Sequence, residues 1–202
     1  MQQYFAHYTR KDLLEDSFKL ISDGFNLWVV SFIILFVSSL IGKHLFSTIL
    51  ELVSLLLFLL GLLWLYRGSK QLSETVPKIG EELYKAIRYY AIAILLLILS
   101  PLFGILFPIA ILAAIGLFIA SIYHLYLYAS WLEEELSKKQ FANITITLLI
   151  LGTILSVKYM PLPLSIIGLI MEITALISLS TMTKKCKQTC INKIQRNMVT
   201  VQ

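Results

Sequence analysis

Apolar residues recur along this chain in six runs, and the polar residues between them are unevenly distributed. The runs cover about 25–41, 46–66, 88–104, 108–130, 142–157 and 163–182. A bilayer's hydrocarbon core is about 30 Å thick, so a spanning helix needs about 20 apolar residues. The runs meet or approach that length. They predict an all-α fold: a polytopic membrane protein of six transmembrane helices arranged as three hairpins, in one integral membrane domain over residues 1–202.

Between Tyr89 and Leu132 there is no Asp, Glu, Lys or Arg. As one helix this stretch would extend about 66 Å, twice the hydrocarbon thickness. It must turn back on itself, and Ser100-Pro101-Leu102-Phe103-Gly104 or Pro108 marks the place. Two forms remain open there, a plain hairpin turn and a re-entrant break. Ahead of the first run, Leu14, Phe18, Ile21 and Phe25 share one helical face over 11–25. That pattern predicts an amphipathic helix at the membrane interface. A helix packed against protein would carry the same stripe. Pro77 and Gly80 are expected to break the polar segment Arg67–Arg88, after which Glu81 and Glu82 open a helix with Glu81 set to pair with Lys85.

Charge then orients the runs. Every Lys and Arg except Lys43 and Lys158 falls in the N-terminal segment, the second and fourth connections or the C-terminal segment. Basic loops stay on the cytoplasmic side, so both chain ends are expected inside. Trp28, Trp64, Tyr66, Tyr89, Tyr90, Tyr123, Tyr126, Tyr128 and Trp131 fall at the inner ends of the runs and are expected to form an aromatic belt. The segment 183–202 carries Lys184, Lys185, Lys187, Lys193 and Arg196 without an acid, and is read as a cytoplasmic tail against anionic lipid.

Composition agrees. With 58% hydrophobic residues the chain has too little polar surface for a soluble domain. Its net charge of +5 clusters beside the runs, which points to lipid headgroups rather than nucleic acid. The expected partners are the bilayer, anionic lipid, and a second membrane protein or another copy of the chain. Cys186 and Cys190 are read as thiols in a reducing compartment, with acylation as the alternative.

Candidate chemistry is sparse. Ionisable groups inside a bilayer are costly and therefore functional candidates. Glu172 lies about nine residues, roughly 13 Å, inside the sixth run. It must be neutral or paired there, as a proton or cation site or as an acid bonded to a neighbouring helix. Glu51 lies about a turn inside the second run and could pair with Lys43 or His44 across the outer turn. His124 sits among tyrosines toward the inner end of the fourth run. Glu51 and His124 are about 15–20 Å apart in depth, so no metal site is expected, and no cofactor is implied. The pairs Ala110/Ala114 and Gly116/Ala120 are each spaced by four residues and are expected to let another helix approach, placing the fourth run centrally. HExxH, GxSxG and P-loop motifs are absent.

The segments LLEDSFKLISDGF (13–25) and LGLLWLYRGSKQLSE (60–74), with the three-hairpin layout, resemble small uncharacterised archaeal multi-pass membrane proteins. That likeness implies a membrane-embedded helical fold and carries over no catalytic residue. Three functions are therefore expected in descending order. They are an accessory or scaffolding subunit of a membrane complex, a small-solute transporter or substrate-binding membrane subunit, and an intramembrane enzyme acting on lipid.

Overall fold

The computed structural model describes residues 2–41, 45–156 and 162–199; within these, side chains are described except at 2–11, 103, 105, 162–163 and 190–199. All regular structure among the described residues is helical. The helices are α1 (Gln2–Ile41), α2 (Leu45–Thr75), α3 (Pro77–Leu99), α4 (Phe107–Glu135), α5 (Phe141–Leu155) and α6 (Leu162–Val199). Five of them are long and apolar enough to cross a membrane; α5, with 15 residues, is the exception. Each helix packs on the next, and α6 returns to α1, so the six form a closed ring.

Heptads of small residues seal the three hairpins. Ser17, Gly24, Ser31 and Ser38 recur every seven residues on α1; Ser47, Ser54, Gly61 and Gly68 do so on α2, and all are buried. They meet in antiparallel order. Ser38 Oγ donates to the Ser47 carbonyl (3.0 Å). Ser31 and Ser54 each donate to the other's carbonyl (both 2.9 Å). A Cβ added to Gly24 would lie 3.0 Å from the Gly61 carbonyl oxygen, and the reverse holds for Gly61. The second hairpin has the same spacing in buried Ala86 and Ala93 on α3 with Ser100 just past its end, and in Ala114 and Ser121 on α4. The third has Thr145 and Gly152 on α5 opposite Gly168 and Ala175 on α6. A seven-residue repeat keeps one seam of each helix facing its partner. Small residues on that seam bring backbones together where lipid supplies no hydrophobic drive for helix association.

Two forces therefore hold the two ends of the bundle. At the charged end, α1, α2 and α6 run well past the apolar runs. There Phe18, Leu72, Leu83, Leu132, Leu179 and Cys186 are fully buried. Each large side chain removed from water contributes about 1.5–3 kcal/mol. At the apolar end, large side chains such as Leu45 and Leu102 (both 81% exposed) point outward, and the seams carry the contacts.

Several expectations change. The stripe Leu14, Phe18, Ile21 and Phe25 is no more than 2% exposed. It faces protein as part of one continuous α1 rather than lying on a membrane surface, because α2 and α6 are long enough to cover it. Val76 alone separates α2 from α3, with Pro77 in the first turn, where its missing N–H costs nothing. Gly80 thus breaks no helix; it lets the last turns of α2 lie against α3. The aromatic belt is partly core: Tyr128 and Trp28 are buried, with Tyr128 Oη bonded to Thr183 Oγ1 (3.0 Å) and the Trp28 indole N–H donating to the Phe58 carbonyl (3.1 Å). In the tail, Cys186 is shielded from acylation by burial, and Lys187 forms a 2.6 Å ion pair with Glu15. Lys158 and Pro161 lie outside the described residues.

The Ser100–Leu106 connection is a short 3-10 helix with Gly104 at φ +52°, a conformation glycine adopts without steric cost. At the other end, the Glu133 carboxylate accepts hydrogen bonds from the backbone N–H of Gln140 (2.8 Å) and Ala142 (2.9 Å). It thereby caps the first turn of α5, where donors are otherwise unpaired.

Candidate functional site

A ring of six helices with no helix at its centre leaves an interior. A cavity of about 180 Å³ occupies it, lined from α1, α3, α4, α5 and α6. The fourth run is therefore one member of the ring, not its hub. Ala114 does pack at 1% exposure, whereas Gly116 is exposed, and a Cβ added there would meet nothing within 4 Å. Ala110 and Ala120 are half-buried.

Glu172 lines this cavity and is buried at 7% exposure. Its place follows from the third seam. Gly152 lacks a Cβ, and one built there would fall 2.7 Å from Glu172 Cγ and 2.8 Å from its backbone nitrogen. The hydroxyls of Thr153, on α5, and Ser156, just past its end, face the carboxyl. Thr153 Oγ1 also bonds the Leu149 carbonyl (2.8 Å). Ser156 Oγ is buried with no formed hydrogen bond. Among the described residues the ion pairs are Lys85 with Glu81 and Glu82, His124 with Glu82, and Lys187 with Glu15. None involves Glu172.

Aromatic rings form much of the remaining wall. Trp28 stacks on Phe58 (centroids 5.3 Å, planes 12° apart) and contacts Tyr90 (5.3 Å), which in turn contacts Phe118 (5.9 Å). Phe25 meets Trp28 edge-on at 6.2 Å. Trp28, Tyr90, Phe118 and Phe25 all line the cavity. Because the Trp28 N–H is committed to Phe58, the indole offers the interior its ring and no donor.

The other two candidates stand apart from this site. Glu51 is exposed, and its Oε1 accepts a 3.4 Å hydrogen bond from Ser38; Lys43 and His44, its expected partners, lie outside the described residues. His124 Nδ1 is 2.6 Å from Glu82 Oε2, with Tyr89 and Tyr123 against its ring. Lys85 approaches the other Glu82 oxygen at 3.4 Å, and Glu81 at 3.7 Å as the helical spacing predicts. Glu82 is the partner that sequence reasoning missed: only the packing of α3 on α4 brings residues this far apart in sequence together.

No match emerges from comparison with family models, curated proteins or solved structures.

The His124–Glu82 bond ties α4 to α3 at the charged end. His124→Ala is expected to cost about 1 kcal/mol. Adding Glu82→Gln should then cost little more, the pair being coupled. Thermal unfolding of both single variants and the double variant measures this; full additivity would mean that the two side chains do not meet.

Proposed function

We propose that the chain is a six-span cell-membrane protein, its charged end and both termini in the cytoplasm, that binds a small solute around Glu172. It would act as a carrier or as the substrate-binding membrane subunit of one. One observation carries the reading: a buried carboxyl on the wall of an interior cavity, at mid-depth in a helix long enough to span a bilayer. Sites lined mainly by apolar groups with a few placed polar ones are the usual form of small-molecule pockets. The distribution of Lys and Arg supports the orientation. At 15 residues α5 reaches about 22 Å, so its crossing needs local thinning of the bilayer or chain beyond its last turn.

The protein purified from its native membrane in mild detergent should carry a small molecule detectable by native mass spectrometry. Leu149→Trp, which puts an indole into the cavity, should abolish that adduct and leave the elution volume unchanged. An adduct retained by Leu149→Trp would place the ligand elsewhere.

A second reading, an accessory subunit of a membrane complex, is favoured by a different feature. Arg67, Lys70, Glu74, Lys78, Glu81 and Arg88 are all exposed where α2 meets α3, a mixed-charge surface suited to a soluble or membrane partner. The same spectra distinguish the two: a stoichiometric protein partner with no small molecule supports the accessory subunit and counts against the solute binder.

A further inference from the structure

The cavity's chemistry narrows the class of its occupant. Glu172 is its one acidic lining group, and aromatic side chains from three other helices share the wall with it. Thr153 and Ser156 approach the carboxyl from α5 and its end. Two hydroxyls leave a carboxylate's negative charge uncompensated, and the described ion pairs supply no cation to it.

From this lining we infer that the occupant is a small organic ammonium ion, its positive charge held by the Glu172 carboxylate with the Trp28, Tyr90 and Phe118 rings around it. The inference rests on the solute-binding reading and deepens it.

Each rival occupant fits less well. An anion would face Glu172. A bare metal ion needs several oxygen, nitrogen or sulfur ligands at close range, and no cluster of three or more His, Cys, Asp or Glu side chains exists among the described residues. A water cluster needs two to four polar partners for each molecule, and the walls are predominantly aliphatic and aromatic. An organic ammonium needs what is present: a counter-charge and aromatic rings, whose negative quadrupole attracts a cation within about 6 Å of the ring centre. Size limits it further. A cavity of about 150 Å³ admits benzene, so one of about 180 Å³ suits a molecule of benzylamine's size or smaller. Trp28 is also held in place before binding, by its bond to the Phe58 carbonyl and by contact with the Phe58 and Tyr90 rings.

The test is isothermal titration of the intact, detergent-solubilised protein with tetramethylammonium, butylamine and benzylamine, and with the neutral butanol and benzyl alcohol. Tight binding of the ammonium ions, weakened about tenfold or more by Glu172→Gln with little change for the alcohols, is the expected result. Phe118→Leu provides a second reading that leaves the carboxyl untouched. It should weaken the ammonium ions more than the alcohols, and it decides the matter if Glu172→Gln fails to fold. Alcohols binding as tightly as the amines, or amines indifferent to both substitutions, would overturn the ammonium assignment and leave a neutral-solute site standing. If no probe binds and the purified protein carries no adduct, the ammonium assignment and the solute-binding reading both fall.

Discussion

Gly80→Ala should leave little folded protein. A Cβ built on Gly80 falls 2.0 Å from the backbone nitrogen of Ser73 and 2.3 Å from the Leu72 carbonyl carbon. Carbon atoms settle at about 3.5–4.0 Å, so the new methyl group needs well over an ångström of relief. The obstructing atoms are backbone of the last turns of α2 and cannot rotate aside. The helices must part, yet only Val76 joins them, and its carbonyl already accepts the Gly80 N–H at 3.0 Å. Parting them also opens the contact around Leu72, Ile79 and Leu83, all buried at the charged end. Overpacking commonly costs 1–3 kcal/mol, and more when backbone has to move; about 3 kcal/mol or more is expected here. Fluorescence-detected size exclusion with a thermal ramp measures it. A variant eluting as wild type, with its midpoint within about 2 °C, would refute the close approach.

Much of the helical pattern was legible in the apolar runs, because a helix in lipid must satisfy its own backbone and needs length and apolarity to do so. The ends of the helices were not. Hydropathy marks where a helix can meet lipid, not where it stops. Thus α2 continues past Tyr66 to Thr75, and α6 past Met182 to Val199. These extensions convert the Leu14, Phe18, Ile21 and Phe25 stripe from a membrane-facing surface into core. The stripe alone could not decide this: an amphipathic helix buries its apolar face equally well against lipid or protein. The heptads are legible in the sequence as well. The four-residue spacing of Ala and Gly on α4 is only a part of the small-residue pattern. Ser17, Gly24, Ser31 and Ser38 followed by Ser47, Ser54, Gly61 and Gly68 is a seven-residue repeat visible without coordinates.

At the site, Glu172 could be picked out by depth alone, since a carboxyl so far into an apolar run is costly without a purpose or a partner. Its surroundings could not. Trp28 and Tyr90 read as interfacial aromatics because Trp and Tyr usually are, and only closure of the ring through the α6–α1 contact turns them inward. That contact rests on Ser22 and Ser180, whose hydroxyls lie 2.8 Å apart, with Ser180 also bonded to Asn26 (2.8 Å). Nothing in the sequence spacing pairs residues so distant.

The first seam leads to the second large effect, on both the fold and the cavity. Gly61→Leu is expected to destabilise the protein by about 2–3 kcal/mol, whereas Gly116→Leu should stay within about 0.5 kcal/mol of wild type. Both replace a glycine in a long apolar helix by a residue that favours helices and lipid, so hydropathy and propensity predict equal tolerance. Packing separates them. At Gly61 a Cβ would lie 2.7 Å from Trp28 Cδ1, 3.0 Å from the Gly24 carbonyl oxygen and 3.1 Å from Leu27 Cβ; at Gly116 it would meet nothing within 4 Å. The Gly24 oxygen belongs to the helix backbone, so α1 must move away from α2. Ser31 and Ser54, one heptad along, would then lose their reciprocal 2.9 Å bonds. Trp28 would be pushed from its place on the cavity wall, so solute binding should weaken along with stability. Thermal midpoints of the two variants, with binding measured on whatever remains folded, give the comparison. Equal behaviour of the two would mean that the paired heptads do not hold the first hairpin; loss at Gly61 alone would identify them as what sets the distance between α1 and α2, and with it the position of Trp28 on the cavity wall.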